Sequence, residues 1–413
     1  MSKKVASLLL ASLFVLTVFG GVVSAAGEVR PQISSHSKSF TVGGEHAPRS
    51  LQSQHEKWDK IAFVNGPFNI FELFWSHDPA YFSNKPAVLY RLNPATSQWE
   101  HIQVKYTTAA GRVEFYGLKE DKPGIYDYIV SCRGNHPPNS AKILITYPVI
   151  LVHGWHESAE ETWSSQNVNM ERELDSAGFV KGIHYFVFTY DGFGDPRTAA
   201  DGLQNFIKEK KVFFHDQYQY DDSKFTIVCH SMGALVTRWY MEREGRAENV
   251  TQWGGIAPTS HGAALADLAP DLLFSIFNPF IGKRAVQQLK TDSETVRGLD
   301  DPNSGATGRA HGVIYRVIVG DNRSNDTQFG SLSLLWAGRT LAKATNPAGN
   351  GGYYFTSLGD GVVANEQSRI DGDDFHAFTG CDHNAILHDS KVLKYVLDFI
   401  ENPYREIYNP DSP

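Results

Sequence analysis

Phe225-Thr-Ile-Val-Cys-His-Ser-Met-Gly233 sets one serine between an apolar run and a segment with helical spacing. The run ends at Val228, and Leu235, Val236, Trp239 and Tyr240 mark the helix that begins at Gly233. A strand–turn–helix of this kind holds Ser231 in a strained backbone conformation and projects its hydroxyl over the sheet edge. The positions two before and two after must be small, because the turn brings their Cα atoms together. Gly233 meets this, and Cys229 is small enough. The start of a helix also favours developing negative charge. A serine hydroxyl is a weak nucleophile. It needs an imidazole base, and the imidazole needs a carboxylate to hold its tautomer. Downstream of Ser231 the candidate acids are Asp360 and Asp321, and the candidate bases are His383, His376 and His388.

Elements of two kinds must carry these groups. From about Lys60 to Cys132 the apolar residues alternate: Val88, Tyr90, Leu92; Ile102, Val104, Tyr106; Val113, Phe115; Tyr126, Tyr128, Val130. Turn signals at Asn93-Pro94, Ala110-Gly111 and Lys122-Pro123-Gly124 separate the runs. The spacing predicts a small β-sandwich over 58–135. After Arg133–Ser140, a proline-stiffened linker, the pattern changes. Ile143–Val152, Tyr185–Thr189, Phe225–Val228 and Ile314–Val319 are nearly continuous apolar runs, with helix-like stretches at Val168–Ala177, Ala199–Lys211 and Gly233–Glu244 between them. This predicts a parallel sheet covered on both faces over 141–404, closed by a helix at Lys391–Ile400.

The N-terminus is of a third kind. Lys3 and Lys4 precede an apolar run, Val5–Val23, and small residues follow at Ser24, Ala25 and Ala26. Residues 1–25 are expected to be a secretory signal peptide and the protein to be secreted. Residues 28–57 are polar and aperiodic, and are expected to form a flexible arm. The net charge of −8 comes without a basic stripe, which sets nucleic acid aside as a partner. Three cysteines are too few for a disulfide scaffold, although Cys132 and Cys381 could pair and leave Cys229 free.

The turn around Ser231 resembles that of the α/β-hydrolase superfamily, in particular the secreted lipases and esterases whose elbow reads His-Ser-Met-Gly. The resemblance covers about 145–400. It implies an α/β-hydrolase domain behind the sandwich, and the sandwich itself is similar, at Leu118–Tyr126, to fibronectin or immunoglobulin-like modules. The family order Ser, Asp, His admits both acids, and the resemblance to the lipase pattern Asp-Gly-(apolar)-Val at the end of a late strand favours Asp360, in Leu358-Gly-Asp-Gly-Val-Val363, over Asp321. It selects His383, in Gly380-Cys-Asp-His-Asn-Ala-Ile-Leu387, over His376 and His388. The resemblance also implies Trp155 and Met232 N–H as oxyanion donors, with the strand Val149–Val152 feeding His153-Gly154-Trp155. His153, and His261 in Pro258-Thr-Ser-His-Gly262, are read as structural.

Residues 263–300 crowd Leu265, Leu268, Leu272, Leu273, Phe274, Ile276, Phe277, Phe280 and Ile281 into a short stretch. Left exposed, that is an apolar patch a soluble protein avoids. In lipases it is a lid, and an ordinary buried cap is the alternative. His156, Phe193, Leu273 and Phe277 are candidate substrate contacts, and Trp253 a further apolar wall. No cofactor is implied. Asp371, Asp373 and Asp374 form an acidic loop that could hold Ca²⁺, but without the spacing of a calcium loop. Asn249, Asn322 and Asn325 open glycosylation sequons. The expected activity is carboxylic-ester hydrolysis through a serine triad, on a neutral ester or lipid at a lipid–water interface. Triacylglycerol is favoured by the apolar lid. A short-chain or polymer esterase, an acyltransferase or an amidase is the alternative within the class, and a non-catalytic surface-binding protein the alternative outside it.

Overall fold

A computed structural model describes Trp58, 60–75, 80–93, 96–134, 140–155, 158–268, 283–300, 309–321, 327–329, 332–334, 340–343, 352–356, 358–370 and 373–404, with short strands at 32–33, 40–42 and 45–46. The leader expected at 1–25, His156, Leu273, Phe277 and Asp371 lie outside the described residues.

Six parallel strands form the central sheet, in the order Tyr185–Phe188, Val149–Val152, Phe225–His230, Val250–Ile256, Ile314–Asp321 and Asp374–Thr379. The strands Val149–Val152 and Phe225–His230 are buried at every position, which is why they read as unbroken apolar runs rather than alternating ones. One face packs on the helix Pro196–Tyr218 through Ala200, Leu203, Ile207 and Phe214. The other packs on Met170–Ser176 and Ser390–Glu401 through Met170, Leu174, Val392, Val396 and Ile400. Asp195 caps the long helix by accepting from Arg197 N, Pro196 opens its first turn, and left-handed Gln219 ends it. That helix outruns the expected Ala199–Lys211 because Phe214 and Tyr218 continue the same buried stripe. The expected helix Gly233–Glu244 is α-helical only over Gly233–Arg238 and widens to a π-helix over Trp239–Arg243. There Glu244 N reaches back to Trp239 O.

The apolar run Ile143–Val152 is not one strand. It divides at Tyr147-Pro148 into Ala141–Thr146 and Val149–Val152. Proline has no N–H to continue a ladder and biases the residue before it. The first half joins the N-terminal unit: Ala141–Thr146 pairs antiparallel with Gly124–Cys132 and parallel with Lys60–Phe63. That unit therefore runs past 135 to Thr146. Its first sheet has the order Lys60–Phe63, Ala141–Thr146, Gly124–Cys132, Pro86–Leu92, Trp99–Tyr106. Its second is built on Phe68–Trp75 and Arg112–Leu118. Gln32–Ile33 and Phe40–Val42 add to Phe68–Trp75, and Glu45–His46 pairs with Phe40–Val42. So part of the 28–57 segment expected as a flexible arm is strand, held by a sheet edge that supplies backbone partners irrespective of side-chain pattern.

Tyr126, Tyr128 and Val130 face the sandwich core with Val113 and Phe115. In the strand Pro86–Leu92, however, Ala87 and Leu89 are the buried set, while Ile102 and Val104 on its neighbour are exposed. A period of two says which residues share a face, not which face is inside.

The sandwich and the parallel sheet share a buried junction. Phe63 is fully buried, edge-on to Phe214 at 5.1 Å and stacked on Tyr220 at 5.9 Å. Trp58 Nε1 donates to Ala177 O at 2.9 Å, and Thr146 Oγ1 to Ile400 O at 2.8 Å. Replacing Phe63 by Ala is expected to cost about 3–5 kcal/mol. Denaturant unfolding should then remain a single transition, because the junction belongs to one core; two separated transitions would show that the units unfold independently.

His184 faces Phe63 at 5.5 Å, and its Nδ1 accepts from Val180 N at 2.9 Å. Burial, with Lys60 adding repulsion, pushes its pKa down to about 3. The unfolded imidazole titrates near its ordinary value of about 6.5. The native state therefore refuses a proton that the unfolded state takes up, and stability falls as pH drops from 6.5 towards 3. His184→Asn, which can keep an acceptor for Val180 N, should flatten stability against pH across that window. An unchanged acid slope in urea titrations would assign the loss to other groups.

Candidate active site

Ser231 sits at the C-terminal edge of the sheet with φ of 51°. A non-glycine residue held there costs about 1–3 kcal/mol, and persists only where its surroundings over-determine it. Here Ser231 N donates to Ile256 O at 3.1 Å, and Ser231 O accepts from Ala234 N at 3.0 Å. Gly233 lets the turn close. A Cβ on it would lie 2.5 Å from His153 O and 2.8 Å from Val152 O, both backbone atoms that cannot swing aside. Cys229 is fully buried, and burial pushes its thiol up to about 12, so it stays a neutral apolar filler.

The sequence candidates meet at this turn. Ser231 Oγ lies 2.9 Å from His383 Nε2, and His383 Nδ1 lies 2.7 Å from Asp360 Oδ2. Since Nδ1 faces a carboxylate, it carries the proton, and Nε2 is the free base facing the hydroxyl. Asp360 Oδ1 accepts from Val362 N at 2.9 Å and Val363 N at 2.8 Å, and Asp360 O accepts from His383 N at 3.1 Å. Asp360 and His383 are 1% and 2% exposed. The relay is buried yet hydrogen-bonded throughout, the condition under which buried polar groups rigidify a site rather than weaken it.

Asp360 follows a late strand, as expected, but one outside the central sheet. That strand, Tyr353–Thr356, pairs antiparallel with Thr340–Lys343 in a separate two-stranded sheet among the described residues. Thr340 Oγ1 accepts from Gly361 N at 2.8 Å and ties the loop to that sheet. The alternative groups lie elsewhere. His376 stacks on Tyr395 at 4.7 Å, His388 Nδ1 pairs with Val168 O at 2.9 Å, and His261 Nε2 with Arg369 O at 2.7 Å. Asp321 lines a separate cavity of about 400 Å³ with Asn365 and Phe375.

Three positioning residues were not singled out from sequence. Gly320 is the penultimate residue of its strand, where a Cβ would meet Cys381 O at 2.3 Å and Asp360 Cβ at 3.0 Å, so it lets the loops carrying Asp360 and His383 converge. Its signal was present: an isolated glycine in a strand marks close backbone approach. His230 Nε2 donates to His383 O at 3.0 Å and holds the base loop from below. Tyr190 OH donates to His153 O at 2.8 Å, and its ring stacks on His153 at 4.2 Å. That pair anchors the His153–Trp155 segment opposite Ser231. Neither histidine nor tyrosine carried a spacing that distinguishes an anchor from core.

Ser231, His383 and Thr259 are the polar members of a small pocket walled by Trp155, Ala263, Leu265, Ala266, Val286, Leu289 and Val362. The helices Ala264–Leu268 and Lys283–Leu289 roof it, within the 263–300 stretch. Their apolar side chains pack with Trp155, Met232 and Leu235. The pocket is small, with about 30 Å³ accessible to water, and is partly open. Phe193 is not in this wall; its carbonyl accepts from Ala285 N at 3.3 Å and fastens the roof instead. Trp253 is a core residue whose Nε1 donates to Thr237 Oγ1 at 2.8 Å.

Cys132 and Cys381 are both free. The first belongs to the sandwich core and the second to the sheet's helical face, so the pairing considered from sequence does not form. In the acidic loop, Asp374 pairs with the buried Arg316 and Asp373 Oδ2 accepts from Ile370 N at 3.0 Å. Among the described residues no three His, Cys, Asp or Glu side chains cluster for a metal, and no helix is long and apolar enough to cross a membrane.

A family model described as alpha/beta hydrolase family matches residues 149–394. No curated protein sequence matches the chain. Among solved structures, the chain is similar to the mature lipase BlEst2 of Bacillus licheniformis at 18% identity and a TM-score of 0.44, over 62% of this chain and 92% of that one. It is similar to phospholipase PlaB of Legionella pneumophila at 17% identity and a TM-score of 0.41, over 64% of this chain but only 60% of that one. It is also similar to lipase 1 of Pelosinus fermentans at 14% identity and a TM-score of 0.38, over 64% of this chain and all of that one.

Gly233→Ala should collapse this geometry. The added methyl meets two carbonyl oxygens of the neighbouring strand end, so the variant is expected to lose hydrolase turnover by at least about 10²-fold and to melt lower, since a buried clash costs about 1–3 kcal/mol. A variant with unchanged melting and turnover would mean that the turn relaxes without cost.

Proposed function

The chain belongs to the alpha/beta hydrolase family, and from that premise we propose that it is a secreted serine carboxylic-ester hydrolase whose substrate carries an apolar acyl chain, with triacylglycerol the favoured class. The observation that carries the reading is the continuous relay from Ser231 through His383 to Asp360, opening into an apolar pocket.

His383 Nε2 removes the Ser231 proton as Oγ attacks the ester carbonyl carbon. The oxyanion is held by the Met232 and Trp155 N–H groups; each such donor is worth roughly 10²–10³ in rate. Asp360 keeps the imidazole in the productive tautomer and stabilises the imidazolium without itself taking the proton. As the tetrahedral intermediate collapses, the C–O bond to the alcohol breaks and His383 gives that oxygen its proton. A water then loses a proton to the same Nε2 and attacks the acyl-enzyme. Collapse returns the proton to Ser231 and frees the acid. Leu265, Ala266, Val286 and Leu289 supply apolar wall for the acyl chain, and the charge of −8 suits a neutral substrate.

The test is hydrolysis of p-nitrophenyl esters of increasing acyl length, soluble and emulsified. Wild type should turn them over, with a jump when long-chain ester passes its solubility limit. Ser231→Ala should lose at least about 10⁴-fold in kcat. Inactivity of wild type on every ester would falsify the hydrolase reading. Activity confined to short soluble esters, without the jump, would replace the lipase by a plain esterase.

A further inference from the structure

We infer that Thr259 is a positioning residue of the oxyanion hole, acting through the peptide that joins Ser231 to Met232. The inference rests on the proposal that Ser231 is the nucleophile and Met232 N–H an oxyanion donor.

Thr259 follows the strand beside the elbow strand and is 1% exposed. It places two donors on one acceptor: Thr259 N lies 3.3 Å from Ser231 O, and Thr259 Oγ1 lies 3.2 Å from the same oxygen. A carbonyl can only accept, so the threonine hydroxyl donates. The Ser231–Met232 peptide is trans, there being no cis bond among the described residues. In a planar trans peptide the C=O and the N–H point in opposite directions. Fixing Ser231 O towards Thr259 therefore fixes Met232 N–H away from it. With Ala234 N at 3.0 Å, three donors meet this carbonyl, two of them from Thr259, and they polarise the peptide and strengthen its N–H as a donor.

The Thr259 loop is itself held. Ala257, with φ of 46°, donates its N–H to Ile318 O at 2.7 Å. Ser260 O accepts from Arg238 Nη1 at 2.7 Å, and Arg238 is locked by a buried ion pair with Glu242 at 2.9 Å. A valine at 259 has nearly the shape of threonine and removes only the hydroxyl donor.

Full-length Thr259→Val and Thr259→Ser are compared with wild type on a short p-nitrophenyl ester, and for inhibition by an alkylboronic acid, whose tetrahedral adduct puts an oxygen where the oxyanion forms. For Thr259→Val, kcat should fall roughly tenfold, less than the loss of a whole donor, with KM within about twofold and the boronic acid weakened by the same factor as kcat. Thr259→Ser, which keeps the hydroxyl, should restore both. A Thr259→Val enzyme with wild-type kcat and inhibition, or with its loss in KM alone, overturns the inference. Should Thr259→Val not fold, Thr259→Ala against Thr259→Ser makes the same comparison, and equal kcat in the two overturns it. An inert wild type, or an active Ser231→Ala, instead overturns the serine-hydrolase reading on which this one stands.

Discussion

Everything at this sheet edge depends on how closely two strand ends approach. The Ser231 turn is tolerable only because Gly233 has no Cβ to meet His153 O and Val152 O. That one absence lets the elbow helix start directly beside the segment carrying Trp155. The left-handed backbone at Ser231 is then held by hydrogen bonds from both flanks: Ile256 on one strand, and Ala234 and Thr259 beyond it. Strain of this size is stable only when several independent contacts enforce it. The fully buried strand Phe225–His230 supplies the rigid base they act against.

A second close approach repeats the device one strand over from the elbow's neighbour. Gly320 allows Cys381 O and the Asp360 Cβ to crowd the end of Ile314–Asp321. The loops carrying Asp360 and His383, distant in sequence from Ser231, are thereby brought over the same edge. The base loop is pinned twice, by His230 through the His383 carbonyl and by Asp360 through both backbone and ring. Two glycines, one opening the elbow helix and one near a strand end, thus do what no polar side chain could: they bring backbone segments close enough for the polar ones to meet.

The parallel sheet was legible because its burial on both faces leaves apolar runs in the chain, and the Ser231 turn because small residues must flank it. Asp360 and His383 were legible only through resemblance; no periodicity separates Asp360 from Asp321 or His383 from His388. What sequence did not disclose has physical causes. Ile143–Val152 reads as one strand because burial is the same in both units it serves, and only Pro148 marks the change of sheet. Ala87 and Leu89 rather than Val88 and Tyr90 face the core because alternation fixes a pairing of residues and not its sign. His230 and Tyr190 act by donating to backbone carbonyls, and a backbone acceptor leaves no trace in side-chain pattern.

The relay and its roof are built to different standards, and that difference bears on how a buried site can admit an apolar substrate. Ser231, His383 and Asp360 are held by directional bonds to strand ends and to loops that are themselves anchored. A small displacement there forfeits whole hydrogen bonds in a low dielectric, which is expensive. The roof meets the elbow through Ala266, Val286, Leu289, Val296 and Leu299, contacts without direction that lose free energy gradually and regain it against any apolar partner. An acyl chain entering between roof and relay replaces the side-chain contacts it displaces with its own. On the proposed reading, the apolar surface of the substrate therefore offsets the cost of displacing roof contacts, while the polar geometry beneath stays fixed. On that reading, this division favours an ester with a substantial apolar acyl group over a small polar one, which would displace roof contacts without replacing them.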